Sequence, residues 1–402
     1  MTKQLREVMA LAWPIAAAML GETAIGLVDT KLVGGLGPAA LGGVGIATTL
    51  MYLCFSLAYG LARGVKIHTA HAVGRGAPEE GTPYALGGLA LGAALGAGVF
   101  LVSRDIGGLL VALRIDPLLH EPAQAFFGAI GYGAPATCML AALVQHRQGL
   151  GDTRTPMVVG LAGNVLNAVL SYGLIYGRFG LPALGVRGGG YGTAITEWAE
   201  VLAMVAMLRP ATAAGAVPFS LAVRRVCELG VPTGLHFAAE MLAFTTFTAI
   251  LGALGGAEIA AHQVALAIIR VSFLPGVAVG EAASALVGQS LGRRDLPSAD
   301  AYARGAVVVG VGFMAVCGVA FALFGASLAA SFTNDAEVAP RVTKLLLIAA
   351  VFQVLDAVNI VLRGALRGAK DVRAVALIGI AVVWVCVPGA ALVLGRLAGW
   401  GA

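Results

Sequence analysis

Charge is scarce in this sequence. Only 12% of its 402 residues are Asp, Glu, Lys or Arg, about half the roughly 25% of an ordinary soluble domain. That shortage excludes a water-exposed globular surface. Cysteine is sparse as well: Cys54, Cys138, Cys227, Cys317 and Cys386 are scattered, four of them in apolar segments. They have neither the density of a disulfide framework nor zinc-ligand spacing. No HExxH and no GxxxxGK[ST] occurs, so no metalloprotease or nucleotide-driven engine is expected, and no enzyme or cofactor. GLGDTRTP (149–156) has the flavour of a phosphate loop, but it follows an apolar segment rather than a strand. It reads as a turn in which Asp152 and Thr153 cap the next helix. Basic runs with interleaved aromatics are also missing, which removes nucleic acid as a partner despite a net charge of +5.

What the chain has in quantity is apolar and small. Hydrophobic residues make up 59%, and 57 residues are glycine, about twice the usual share of roughly 7%. Mean hydropathy is +0.89. Small residues at this density let helix backbones approach closely in lipid, where apolar burial drives no association. A spanning helix needs about 20 mostly apolar residues. Runs of that kind fall near 10–33, 43–64, 84–103, 123–145, 157–177, 188–208, 230–254, 262–288, 304–327, 341–362 and 374–395. This predicts an all-α integral membrane protein with about eleven spans, the first being a retained helix because no small-residue cleavage site follows it. With the N-terminus placed inside, 17 of the 26 Lys and Arg fall on the inner side and 8 on the outer, with Arg270 inside a segment. The bias predicts a multi-pass protein of the cytoplasmic (inner) membrane with a cytoplasmic N-terminus.

The chain repeats itself. GGLGPAALGGV (34–44) pairs with GALGGAEIAAH (252–262), HAVGRG (71–76) with VGQSLGRRD (287–295), and QGLGDTRTPM (148–157) with RGAKDVRAVA (367–376). The separations cluster between 214 and 219 residues. Two homologous lobes are therefore expected, 1–210 with helices 1–6 and 211–402 with helices 7–11. By the repeat, a twelfth helix has no counterpart. Parallel repeats of this kind suit a transporter.

The informative residues are ionisable groups inside apolar segments, each costing roughly 2.5–3.5 kcal/mol at mid-bilayer unless it faces a cavity or a partner. Glu22 and Asp29 lie seven residues apart in the first helix and so share a face. Asp29 reads either as a working acid or as a boundary charge beside Lys31. Pro14 should bend the same helix. In the seventh helix Glu240 follows His236 by one turn, a spacing that also fits a purely structural pair. In the tenth, Gln353, Asp356 and Asn359 form a polar stripe. If Glu240 and Asp356 meet, the two carboxylates can bind Na⁺ or share a proton. Gln263, Arg270 and Glu281 fall near one face of the eighth helix, with Arg270 expected to neutralise a neighbouring acid. Glu197 and Glu200 either line the first lobe or lie toward the inner interface. Asn164 and Asn167 give the fifth helix a polar face, suited to holding helices together or to touching substrate. His68 and His71 read as headgroup-level residues.

GLVDTKLVGGLGPAALGGVG, GLGDTRTPM followed by GNVLNAVL, RFGLPALGVRGGGYGTAITE, LGALGGAEIAAHQVAL, PGVAVGEAASALVGQSLG and ALRGAKDVR together resemble the multidrug and toxic compound extrusion (MATE) family, NorM-like bacterial branch. The likeness runs in order over nearly the whole chain. It implies two six-helix lobes in a V, and a monomer that exports small organic cations or amphipathic compounds in exchange for Na⁺ or H⁺. It assigns coupling to Asp29, which matches the first-helix acid, and to Glu240 and Asp356, which match the seventh- and tenth-helix cation ligands. The latter pair is the stronger candidate for the ion. Ser171 stands where some members carry an Asp, and Glu22, Arg270 and Glu281 are unusual for the family. A lipid-linked substrate flippase, with an Arg- or Lys-rich cavity, is the alternative within the superfamily, and a scaffold without transport is another.

Overall fold

The computed structural model describes residues 3–208, 217–333 and 335–393, and every regular element among them is helical. The helices are α1 (Lys3–Gly34), α2 (Pro38–Gly74), α3 (Thr82–Ser103), the short α4 (Gly107–Ala112), α5 (His120–Ile130), α6 (Ala134–Gly149), α7 (Arg154–Tyr176), α8 (Val186–Ala206), α9 (Phe219–Leu254), α10 (Gly256–Gly292), α11 (Leu296–Phe332), α12 (Val338–Gly368) and α13 (Val372–Trp384). A 3₁₀ turn at Gly131–Gly133 joins α5 to α6, and a π turn at Val385–Gly389, holding Pro388, continues α13.

Ten stretches among the described residues are long and apolar enough to cross a membrane. The eleventh expected segment is α8, whose 21 residues reach about 31 Å at 1.5 Å per residue. Its Arg187, Gly188–Gly190, Glu197 and Glu200 keep it below the hydropathy of the others. Several helices also run past their apolar cores. The second expected segment stopped at residue 64, yet α2 continues to Gly74 and buries Lys66. Likewise α12 runs to Gly368, so Arg363 and Arg367, expected in an inner loop, are helical.

The chain forms two compact units, Ala17–Gly234 and Met1–Ala16 with Leu235–Ala402. Each division falls two residues past a proline inside a long helix, Pro14 in α1 and Pro232 in α9, where the missing amide leaves a helical hydrogen bond unmade. The first turns of α1 thus belong to the second unit, where Val8 and Ala12 join Val279, Ala283 and Val361 in one core. The boundary expected at 210/211 lies outside the described residues.

The internal repeat is also visible in backbone geometry. Helices α2, α6, α10 and α12 all end with a left-handed residue, Gly76 (φ 80°), Gly151 (φ 83°), Arg294 (φ 61°) and Lys370 (φ 68°). Each end carries the same pair of bonds. In α2 these are Gly76 N to Val73 O at 3.0 Å and Ala77 N to Ala72 O at 3.1 Å, and in α12 Lys370 N to Arg367 O at 2.9 Å and Asp371 N to Leu366 O at 3.0 Å. This double closure satisfies carbonyls that a helix end otherwise leaves bare. In the second unit the left-handed position is held without glycine, at roughly 1–2 kcal/mol per residue. Two carboxylates, half-buried Asp295 and exposed Asp335, cap the first turns of α11 and α12. Asp295 accepts from Ser298 N at 3.0 Å and Asp335 from Val338 N at 3.0 Å, and hydrogen bonding holds both below the usual carboxylate range.

Within the first unit, glycines set the helix spacing. A Cβ on Gly64 would lie 2.5 Å from Val226 O, and one on Gly230 would lie 2.5 Å from Leu61 O. Gly60/Gly64 of α2 and Gly230/Gly234 of α9 therefore form facing small-residue pairs. On α3, a Cβ at Gly92 would stand 2.7 Å from Cys138 O, whereas Gly98 has open space around it. Gly92→Val is accordingly expected to destabilise by roughly 1–3 kcal/mol, and Gly98→Val on the same helix is not. Thermal melting of the two detergent-solubilised variants, followed by size-exclusion fluorescence, checks this; equal midpoints would contradict the packing account.

Candidate functional site

The acids of the first unit come from α1 and α8. Asp29 lies beside the Ser171 side chain of α7, and its Oδ1 is buried without a hydrogen-bond partner. The Ser171 hydroxyl donates to Asn167 Oδ1 at 3.3 Å, Asn167 Nδ2 donates to Thr193 Oγ1 at 3.0 Å, and the Thr193 hydroxyl donates to Gly189 O at 3.2 Å. Asn167 and Ser171 are buried. Asn164 is half-buried one turn away, and a Cβ on Gly21 of α1 would stand 2.9 Å from its Nδ2. The position that is acidic in some members is thus a serine here, and Asp29 reaches that serine from α1.

Glu197 accepts a short hydrogen bond from the Thr137 hydroxyl of α6. The carboxylates of Glu22, Glu197 and Glu200 lie close enough to act on one another electrostatically, and Glu22 and Glu197 also act on Tyr59. Two glycines make the room: a Cβ on Gly133 would stand 2.8 Å from Glu197 Oε2, and one on Gly163 would overlap the Glu200 carboxyl. Among the described residues none of Glu22, Asp29, Glu197 and Glu200 is in an ion pair.

The second unit arranges its charges differently. Glu240 of α9 forms an ion pair with Arg363 of α12, Oε1 to Nη1 at 3.4 Å. His236 is fully buried, with Arg363 Nη1 3.4 Å from its Nε2 and Arg367 Nη2 3.4 Å from its Nδ1. Arg367 also stands over the Phe237 ring at 5.2 Å. Half-buried Asp356 is within the electrostatic reach of both Arg363 and Glu240. The sequence reading, which set Arg363 and Arg367 in an inner loop, did not bring them to Glu240 and His236. Their helical spacings, seven residues from Asp356 to Arg363 and four more to Arg367, were the available signal.

Other expected residues separate. Gln353 is buried and donates to Ser272 Oγ, whereas Asn359 is exposed, so the stripe on α12 runs from the core to the surface. Gln263 and Arg270 are exposed while Glu281 is buried. They do not form one polar face, because neighbouring helices enclose α10 only in its second half. Among the described residues Arg270 makes no ion pair, contrary to the expectation that it neutralises an acid. His68 stacks on Tyr84 at 4.5 Å, with its Nε2 3.1 Å from Arg225 O, which ties α2 to α3 and α9. GQSLG (288–292) spells GxSxG but lies inside α10 with Ser290 fully buried, and a nucleophile elbow requires a strand-to-helix turn. Among the described residues no group of three or more His, Cys, Asp or Glu is placed to hold a metal ion.

The family model MatE matches residues 14–173 and again 232–392. The chain belongs to the MatE family. The double match follows the same two-fold repeat as the helix ends. Solved structures share the fold. A MOP superfamily transporter from Pyrococcus furiosus Vc1 (DSM3638), described as having a binding pocket of reverse polarity that suggests a different function, is 21% identical, with a TM-score of 0.88 over 100% of this chain and 90% of that one. An outward-facing multidrug resistance MATE transporter of the MOP superfamily is 21% identical with a TM-score of 0.88, over 98% of this chain and 88% of that one. A MATE structure in the bent conformation is 21% identical with a TM-score of 0.88, over 98% of this chain and 91% of that one. This MatE chain is thus a membrane transporter built on the MATE fold.

In this MatE chain Asn167 joins α7 to α8 through its bond to Thr193, and its carbonyl holds the Ser171 hydroxyl. Asn167→Leu, close in volume but unable to bond, is expected to cost about 1–3 kcal/mol. A lowered melting midpoint, with a smaller drop for Thr193→Val, is the expected result. An unchanged midpoint would mean that the network carries no stability.

Proposed function

We propose that this MatE transporter is a proton-coupled antiporter of the cytoplasmic membrane that exports small organic cations or amphipathic compounds, with the carboxylates of its first unit as the exchange site. One observation carries the reading: Glu22, Asp29, Glu197 and Glu200 are acids in or beside membrane-crossing helices without a basic partner among the described residues. An ionised carboxylate in such surroundings requires neutralisation by a proton or a cation. Proton and organic cation then exclude one another at the same acids, and by linkage the inward flux of one drives the outward flux of the other.

The hydrogen-bond chain at Asp29 supports the proton as driving ion. A hydroxyl has one proton. That proton goes to Asn167 Oδ1 at 3.3 Å, with Asp29 beside the same hydroxyl. A protonated Asp29 leaves that bond in place, whereas an ionised one competes for the same proton. The acid would so report its proton state to α7 and α8.

A second reading, transport of an anionic lipid-linked substrate, is favoured by Arg363 and Arg367. Both guanidiniums are engaged, however, with Glu240, His236 and the Phe237 face. Exchange in proteoliposomes loaded with a fluorescent organic cation separates the readings. Outwardly directed dye flux driven by a pH gradient is expected in the wild type, with a loss of about tenfold or more in Asp29→Asn and clear losses in Glu22→Gln, Glu197→Gln and Glu200→Gln, since each removes one exchangeable charge. Full gradient-dependent flux in all four variants would refute the site. A flux that follows a Na⁺ gradient and ignores pH would refute the proton.

A further inference from the structure

The second unit holds a cluster of five ionisable side chains, His236 and Glu240 from α9 and Asp356, Arg363 and Arg367 from α12, that the exchange reading does not use. Two acids on different helices, Glu240 and Asp356, are a donor set suited to a monovalent cation, since hard oxygen ligands suit hard ions. A cation is already there. Arg363 Nη1 lies 3.4 Å from Glu240 Oε1, and the two side chains are only 20% and 21% exposed. Asp356 precedes Arg363 by seven residues, two turns of α12, which puts both on the same face. Among the described residues, Arg363 is the basic side chain that acts on Asp356.

The surroundings hold the guanidinium in place. The ring of buried His236 has its Nε2 3.4 Å from Arg363 and its Nδ1 3.4 Å from Arg367, which also lies over Phe237. A Cβ on Gly379 of α13 would run into the His236 ring, so α13 packs directly on it. Arg363 Nε is buried and has no acceptor. The arginine is thus held chiefly through its charge on Glu240, not by a complete set of hydrogen bonds. An arginine is charged at every accessible pH, and a second cation brought to the same carboxylates meets its repulsion at contact range.

We infer that Arg363 is a tethered counter-cation for Glu240 and Asp356, and that it bars a free monovalent cation such as Na⁺ from this acidic site. It therefore acts as a specificity-determining residue that excludes Na⁺ from the second unit. The inference rests on the exchange reading only for its consequence, that coupling falls to the first unit; the occupancy of the site is a binding question and needs no transport.

The test is a Na⁺ titration of the purified full-length chain in detergent, against choline at constant ionic strength, with the melting midpoint as readout. The wild-type midpoint is expected to ignore Na⁺. Arg363→Gln is expected to acquire a saturable, Na⁺-specific rise of about 2–4 °C or more. That rise should vanish when Glu240→Gln is added, and Arg363→Lys should keep the wild-type indifference. A wild-type response to Na⁺ that Glu240→Gln abolishes would overturn the inference, as would a folded Arg363→Gln variant with no Na⁺ response. Should Arg363→Gln fail to fold, recovery by Na⁺ in the medium or by Glu240→Gln supports the tethered charge, and recovery by neither overturns it. Proteoliposome flux is scored separately, so a failed transport reading leaves this outcome intact.

Discussion

An ionised side chain in the hydrocarbon of a bilayer has to be neutralised, and the two units meet that demand for the acids of their long apolar helices in different ways. The second unit meets it internally. Arg363 reaches Glu240 across the gap between α12 and α9, and the His236 ring lies between Arg363 and Arg367. Removing one partner of such a half-buried pair leaves a lone charge in apolar surroundings, so the arrangement is a structural commitment as well as an electrostatic one. The first unit leaves the demand open. Its four acids have hydroxyl and amide neighbours, namely Thr137, Ser171, Asn167 and Tyr59, but no basic partner among the described residues. In the proposed mechanism that contrast gives exchange to one unit and permanence to the other.

Small residues make both arrangements possible. Gly133 and Gly163 leave the volume that the Glu197 and Glu200 carboxylates occupy, and Gly379 leaves the volume for the His236 ring. Elsewhere glycine lets backbones touch, as between Gly64 of α2 and Val226 of α9. In lipid, where apolar burial contributes nothing between helices, close backbone approach is the main attraction left. The same residue type therefore holds the helices together and shapes the room around the charges. Prolines add a different element. Pro14 and Pro232 each interrupt a long helix just before the point where the chain passes from one compact unit to the other.

Much of the fold was legible before any coordinates. The number of spans, the two-fold repeat and the helix type all follow from apolar run length and from short strings recurring 214–219 residues apart. Helix ends were not. Hydropathy marks only the part of a helix that lies in hydrocarbon, so α2 and α12 ran on past their apolar cores and carried Lys66, Arg363 and Arg367 inside with them. Of the site, Asp29 with Asn167, and Glu240 with His236, were readable as acids or amides in apolar runs. The company they keep was not, and neither was the dispersal of Gln263, Arg270 and Glu281 along α10, since helical spacing gives the face of a residue but not which neighbour covers it at that height.

Run length and residue type are enough to make this chain a bundle of membrane-crossing helices with a handful of costly charges, because lipid imposes a length and a composition on each span whatever the neighbours are. The recurring strings are enough to divide it into two related halves. Which of the charges are spent on one another is a matter of packing in three dimensions. Arg363 lies 123 residues from Glu240 along the chain and 3.4 Å from it in space, and neutralisation depends on that distance alone.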